Sequence, residues 1–362
     1  MSELRFDDLT VRFGTRRRGI TAVDHVDLTV PPGTVVGLVG ESGSGKSTLA
    51  RAAVGLTPVT GGRVLLDGRP PRRGSRGAAR RPIQLVFQDP YSSLDPRMTI
   101  GASIAEAIPR GAVRGSADRR GEVARLLGLV GLAAGHAGEY PAALSGGQCQ
   151  RVALARALAG RPDVIIADEI TSALDVSVQG TVLNLVRDLQ RRMRLSMLFI
   201  SHDLTVVRYV SDVIAVMYLG RIVEYGPADD VLAEPQHPYT RELLAAAPRP
   251  GAAPVDLPDP DPALRAVADA EPADPHHPPP GCRFHPRCPI GPLVRDDREA
   301  CRETEPAAEG HRHRAACHFA DAASGSPEPD HERPDHGRSD HGQSDHGPPG
   351  TGTSQEISGT AI

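Results

Sequence analysis

Four short apolar runs mark the first two thirds of the chain, and each ends in polar residues: Val35–Val39, Ile83–Phe87, Val164–Ala167 and Met197–Ile200. They are apolar throughout and do not alternate, as a strand reads when both faces of a parallel sheet are covered. Between them the period turns helical. Val178, Val182, Leu185, Leu189 and Met193 fall on one face at helical spacing. Another helical pattern runs Ser47–Leu56, and Ser145 is placed to cap a helix that stops near Gly160 and Pro162. The pattern predicts an α/β unit over residues 1–248, built on a parallel sheet. Beyond Pro248 it is lost. Residues 249–280 are rich in Pro, Ala and Asp and read as a linker, and residues 281–320 as a small Cys-rich C-terminal extension. Residues 321–362 hold few apolar side chains and repeat Asp-His pairs between Asp330 and His346. Such a stretch builds no core and is expected to be a disordered, solvated tether, with loose Ni²⁺ or Zn²⁺ binding as the sharper alternative.

Composition narrows the partners. The 362 residues are 39% hydrophobic, enough for a core over part of the length, and the formal charge is −4. Neither the charge nor the aromatic content of 3% offers a surface for nucleic acid, so no nucleic-acid partner is expected. No stretch approaches the ~18 apolar residues of a membrane span. The opening MSELRFDDLT carries acid early and lacks the apolar core of a signal peptide. A cytosolic chain is expected, one that reaches a membrane only by docking on another protein. One count stands apart. Among 41 basic residues a single one is lysine, Lys46, so position 46 is expected to be one that cannot use a guanidinium.

Lys46 lies in Gly40-Glu41-Ser42-Gly43-Ser44-Gly45-Lys46-Ser47, which fits G-x-x-x-x-G-K-[ST] between an apolar strand and a helical pattern. Glycines let successive backbone N–H groups point inward at a helix N-terminus and cradle phosphates. Gly40, Ser42, Gly43, Ser44, Gly45 and Thr48 are the candidate loop contacts. Lys46 suits the β- and γ-phosphates as a compact charge, and Ser47 suits Mg²⁺ through its hydroxyl. A planar guanidinium is too wide for such a nest. A second signal is Val164-Ile165-Ile166-Ala167-Asp168-Glu169, a buried strand ending in two acids, where ligands bind in parallel sheets. Asp168 suits Mg²⁺, directly or through water, and Glu169 suits polarising an attacking water.

Leu144-Ser145-Gly146-Gly147-Gln148 closely resembles the signature peptide of the ABC ATPases. The resemblance implies an α/β fold: an ABC-type P-loop nucleotide-binding domain with a parallel sheet core and a helical subdomain at about 89–160. It implies ATP and Mg²⁺ as cofactors. Physically the peptide makes a second anion site from Ser145 and the Gly146 and Gly147 amides, with Gln148 beside them. In that family two subunits pair head to tail, and each signature closes on the other's nucleotide. A second ABC ATPase subunit, identical or not, is therefore implied. Gln88 resembles the glutamine that senses Mg²⁺ and links to the membrane subunit. Ser172-Ala173-Leu174-Asp175 resembles the loop at the dimer interface. His202, in Ser201-His202-Asp203, resembles the switch histidine at the γ-phosphate, and Phe13 stands where an aromatic residue usually stacks on adenine. Two positions depart from the family pattern: Cys149 replaces the common Arg and Ile170 the common Pro.

The segment Phe87–Met98, with His237-Pro238-Tyr239-Thr240 and the stretch from Gly281 to His318, resembles the dipeptide, oligopeptide and nickel importer branch. That branch implies an ATPase powering import of di- or oligopeptides, with nickel or another small solute as the alternative. It implies two permease subunits, an extracytoplasmic solute-binding protein acting indirectly, and a peripheral place on the cytoplasmic face of the membrane. Residues Asp89–Met98, with Tyr91, Leu94 and Met98 expected to be exposed, are the expected permease surface. A soluble, non-transport ABC ATPase is the reading from another class, but the long coiled-coil insertion or second cassette usual there is missing. Cys282, Cys288, Cys301 and Cys317 are spaced C-x₅-C-x₁₂-C-x₁₅-C. In a reducing compartment a disulfide is disfavoured, and zinc prefers tighter knuckles. Four thiolates at wide spacing also cage a cubane cluster, and members of the branch carry a [4Fe–4S] cluster at this tail. Cluster, zinc and no metal stay open here, with His285 and His318 placed as substitute or supporting ligands.

Overall fold

The computed structural model describes residues 1–15, 18–71, 81–246, 267, 273–310 and 312–320. Most of the expected linker and all of the expected tail, with its Asp-His pairs, lie outside the described residues. The described residues fall in one compact unit.

The expected strands all appear: β3 (Val35–Val39), β5 (Ile83–Val86), β6 (Val164–Asp168) and β7 (Ser196–Ser201). With β8 (Val213–Tyr218), β9 (Arg221–Pro227) and two short strands, Ala308–Glu309 and Arg314–Ala316, they make an eight-stranded sheet. Within it β8, β3, β7, β6 and β5 lie side by side and parallel, while β9 runs antiparallel to β8. The apolar runs are continuous because each face of the sheet has its own core. Val36 and Leu38 pack on one side with Leu49 and Ala50 of helix α1 (Lys46–Ala53). Val35 and Val39 pack on the other with Phe199 and the helices.

A second sheet, absent from the sequence reading, covers the first of these faces. It is antiparallel, ordered β2 (Arg18–Val30), β1 (Leu4–Thr15), β4 (Gly61–Leu66). Its apolar alternation is broken by register shifts on either side of Leu9 and by Asp8 at φ 50°. Bulges of this kind throw the period of two out of phase, which hides the strand from a pattern search.

The other face carries α3 (Ile100–Ala107), α4 (Gly115–Leu129), α5 (Gly146–Ala159), α6 (Val176–Met193) and α7 (Leu204–Val210). The α6 face is turned from the expected one. Val182, Leu183, Val186 and Leu189 are buried, Val178 and Leu185 half-buried, and Met193 is exposed at the last turn before left-handed Arg194. Leu94 also departs from expectation. The turn closing α2 (Pro90–Ser93) tucks it into the core beside Ile100 and Ile104, leaving Tyr91 exposed. Among the described residues no helix is long and apolar enough to cross a membrane.

Candidate functional site

The loop between β3 and α1 needs its glycines for space as much as for dihedrals. A Cβ at Gly40 would lie 2.1 Å from the Met217 carbonyl oxygen, and one at Gly45 2.1 Å from that of Ala22. Gly45 also takes φ 105°, open in practice only to glycine. The loop closes on Lys46, which is 4% exposed. Its Nζ donates to the carbonyls of Gly40 at 2.8 Å and Glu41 at 2.7 Å and to Ser44 Oγ at 3.3 Å. Burial lowers the ammonium pKa, against the charges of Glu169, Asp168 and Glu41, which raise it. Three converging acceptors around a buried cation suit an ammonium and leave no room for a guanidinium plane.

Ser47, on the first turn of α1, donates from Oγ to Asp168 Oδ1 at 3.0 Å, with Thr48 beside it. Burial raises the Asp168 pKa, and the Ser47 hydrogen bond works against it. A carboxylate and a hydroxyl held together at the mouth of the loop are the hard oxygen donors that Mg²⁺ takes.

The parallel order then gathers three more groups. Strands β5, β6 and β7 are neighbours, so Gln88, Glu169 and His202, each just past one of their carboxyl ends, arrive at one place. Gln88 Nε2 donates to Glu169 Oε2 at 3.0 Å and to Ser172 Oγ at 3.1 Å. His202 Nδ1 lies 3.5 Å from Glu169 Oε1. Glu169 sits at φ 48°, held by its N–H on the Ile200 carbonyl at 3.0 Å. A non-glycine residue in left-handed backbone at a strand end is strained, and such strain collects where a side chain must be aimed.

The signature peptide opens α5 with a closed capping box. The Ser145 N–H donates to Gln148 Oε1 at 2.9 Å, and the Gln148 N–H to Ser145 Oγ at 3.3 Å. Gly147 has to be small, since a Cβ there would meet Val178 of α6 at 2.4 Å. Gly146 sits beside Leu174, in the stretch that resembles the dimer-interface loop. Phe13 is 42% exposed on the β1–β2 ribbon, whose Ala22 abuts Gly45. Cys149 is fully buried, with its Sγ 3.5 Å from the Pro141 carbonyl and hydrogen-bonded to Tyr91. It fills space where the family usually carries a charge.

Residues 23–172 match the ABC transporter family, and residues 223–291 match the C-terminal region of oligopeptide/dipeptide transporters. Over 315 residues the chain is 46% identical to the probable peptide ABC transporter ATP-binding protein y4tS of Sinorhizobium fredii, covering 83% of this chain and 87% of that one. The chain belongs to the ABC transporter ATP-binding proteins. It is an ATPase of that family. Over 255 residues it is 50% identical to the glutathione import ATP-binding protein GsiA of Escherichia coli, covering 68% of this chain and 41% of that one. A solved relative is the ATP-binding cassette MJ0796, a dimer in a post-hydrolysis state bound to ADP and Pi. It shares 29% identity at a TM-score of 0.54, covering 62% of this chain and 98% of that one.

In this ABC ATPase the region after β9 reaches back to the nucleotide loop, which motif reading missed. Tyr239, on the helix Pro238–Ala246, is fully buried, and its Oη accepts the Glu41 N–H at 2.8 Å. Its ring packs with Tyr218 and Phe284 at centroid distances of 4.6 and 5.5 Å. Arg287 donates to the Glu41 carboxylate and also pairs with Glu242. The signals were in view, since Tyr239 and Arg287 lie in the two segments that mark the importer branch, but nothing in the spacing says that they touch residue 41.

Cys282, Cys288, Cys301 and Cys317 are free thiols that line one small cavity with His237, Phe284, His285 and His318. Burial raises all four thiol pKa values, those of Cys282 and Cys288 to about 12. Backbone N–H groups of Phe284, Ile290 and Phe319, each two residues past a cysteine, pull the other way on Cys282, Cys288 and Cys317. Among the described residues no three His, Cys, Asp or Glu side chains stand as a ready ligand shell for a metal ion.

Proposed function

We propose that this ATPase powers an importer of di- or oligopeptides from the cytoplasmic face of the membrane. The observation that carries the site is the meeting of Gln88, Glu169 and His202 beside the Lys46–Ser47–Asp168 cluster, all from one chain. The loop N–H groups of Gly40–Ser47 and the Lys46 ammonium bind the phosphates, with Phe13 as the adenine contact. Ser47, Asp168 and Gln88 hold Mg²⁺, which supplies charge neutralisation at the phosphates. Glu169 takes the proton of the attacking water, Gln88 fixes its carboxylate, and His202 contacts the γ-phosphate. Ser145, Gly146, Gly147 and Gln148 serve the nucleotide of a second ATPase subunit, so two chains are needed for turnover. The assembly includes two permease subunits, met through the surface around Asp89–Met98 where Tyr91 is exposed. A solute-binding protein delivers cargo outside.

Peptide cargo is supported by the match of residues 223–291 and by the name of the Sinorhizobium fredii relative. Glutathione, itself a peptide, is favoured as a second reading by the 50% identity to GsiA. Uptake of labelled dipeptide, oligopeptide and glutathione by cells carrying the full transporter, with and without Glu169→Gln, tests both. Uptake that survives the substitution would remove the powering role.

The thiol cavity is read as the seat of a [4Fe–4S] cluster with a structural role. Four cysteines, two buried and two half-buried, share the cavity, and backbone N–H groups favour the thiolate form at three of them, the support that cluster thiolates receive. Anaerobic purification should give brown protein with about four irons per chain. Colourless protein with stoichiometric zinc would replace the cluster.

A further inference from the structure

Residue 41 is held on all its polar groups. Its N–H is taken by Tyr239 Oη at 2.8 Å, and its carbonyl accepts Lys46 Nζ at 2.7 Å. Its carboxylate accepts Arg287 Nη1 at 3.2 and 3.4 Å. Two of the three grips come from beyond residue 237. Arg287 is itself well fixed: it is 14% exposed, pairs with Glu242, and lies 5.8 Å from the centroid of the Phe284 ring. The turn bearing it is closed by the N–H of His285 on the Cys282 carbonyl at 3.0 Å and that of Arg287 on the Phe284 carbonyl at 3.0 Å. A half-exposed loop residue rarely has so complete a set of partners, and this one follows directly on Gly40, whose carbonyl is another acceptor of Lys46.

We infer that Arg287 and Tyr239 are positioning residues for ATP binding: through Glu41 they hold the phosphate loop in the shape that aims Lys46. The inference rests on reading the Gly40–Ser47 loop as the phosphate cradle. The physical argument is preorganisation. A glycine-rich loop released from these contacts samples many shapes, and each nucleotide bound must first select the cradle-shaped one. The cost falls on binding. The chemical step is spared, because Glu169, Gln88 and His202 are held by contacts elsewhere. Loss of an interaction used equally in the bound and transition states raises KM and leaves kcat alone.

Steady-state ATPase kinetics on the full chain, with fluorescent-nucleotide affinity, test this. Arg287→Gln should raise KM for MgATP about tenfold, the effect of losing one partly buried charge-assisted contact, with kcat within about twofold. Glu41→Gln should do the same, and the double variant should be no worse than Arg287→Gln alone, since both break one link. Arg287→Lys keeps a charge but not the fork to Glu41 and Glu242, so it should recover only part of the affinity. Tyr239→Phe, which keeps the ring packing and loses only the hydroxyl, should raise KM several-fold and guards against a variant that misfolds. Arg302→Gln, a surface change in the same segment, should leave KM unchanged. Unchanged KM in both Arg287→Gln and Tyr239→Phe, or additive effects in the double variant, overturns the inference. Lys46→Ala separates the two readings. If it abolishes binding while the other variants do nothing, only the positioning role falls. If it too binds normally, the phosphate cradle and the positioning role fall together.

Discussion

The carboxyl edge of the parallel sheet and the thiol cavity answer the same problem, buried polar chemistry, in opposite ways. At the edge, each group is met by another group of the chain: Lys46 by three oxygens, Asp168 by Ser47, and Glu169 by Gln88 and His202. The polar groups there are already partnered before a nucleotide arrives, which keeps reorganisation small during the reaction. In the cavity, four thiols are crowded together and burial drives them toward the protonated form. Arg298 favours the ionised form of Cys301 and Cys317, and Arg241 that of Cys317, but at both burial is the larger influence. The first arrangement is a machine for a ligand that comes and goes. The second has no such partners for its thiols, and the proposed cluster would supply them.

The sharpest test of the first half is Glu169→Gln. The exchange keeps the shape of the side chain and removes the proton acceptor, so nucleotide binding persists while turnover falls by about 10²–10⁴-fold. Nucleotide affinity beside single-turnover hydrolysis reads both quantities, and near-normal turnover would move the base elsewhere.

Acid should act on the C-terminal side first. His237 is buried, its Nδ1 accepts the Tyr239 backbone N–H at 3.1 Å, and its backbone N–H donates to Glu224 Oε2 at 3.0 Å. Burial depresses its pKa from 6.5 to about 4, with Glu224 opposing. The folded protein therefore prefers the neutral ring. The stability this provides is complete above the unfolded value near 6.5 and is lost as pH falls toward 4, about 3 kcal/mol over the window. Melting of wild type and His237→Gln between pH 7 and 4.5 checks it. The wild-type slope over that range should be flattened in the variant, and equal slopes would assign the acid sensitivity to other groups.

Lys46→Arg comes next in size. It keeps the charge and changes only its shape, and with three acceptors converging on Nζ a guanidinium cannot replace the contacts. Nucleotide affinity should fall by about tenfold or more, ~1.4 kcal/mol. Unchanged affinity would make the chain's only lysine an accident of composition.

What the sequence discloses follows the same divide. The phosphate loop, the acids at the end of β6 and the Ser145 cap are contiguous motifs whose geometry is set by local backbone, and all stand where spacing placed them. Gln88 and His202 were assigned through resemblance, and the parallel order of β5, β6 and β7 is what brings them to Glu169. Long-range contacts were invisible. Tyr239 and Arg287 lie 198 and 246 residues from Glu41 in sequence, and no periodicity encodes such a meeting. The β2-β1-β4 sheet was hidden by its bulges, and Leu94 by a turn that folds an apparently exposed residue inward.

The smallest effect concerns the fifth cysteine, and it separates packing from ligation within one residue type. Cys149 lies in α5, fully buried within the helical core, with the Pro141 carbonyl and Tyr91 as polar partners of its sulfur. Its thiol pKa is raised by burial, as at the cavity, but no other cysteine stands beside it. A lone buried thiol behaves as a small hydrophobe. Cys149→Ala removes one sulfur from the packed helical layer and should cost about 1 kcal/mol of stability, with nucleotide affinity and iron content unchanged. The same exchange at Cys282 or Cys288 should strip the metal and loosen the turn that carries Arg287. Denaturant unfolding with iron and zinc analysis on the three variants measures both. Metal loss in Cys149→Ala, or its retention in Cys282→Ala and Cys288→Ala, would erase the distinction between a cysteine that fills space and the four proposed as ligands.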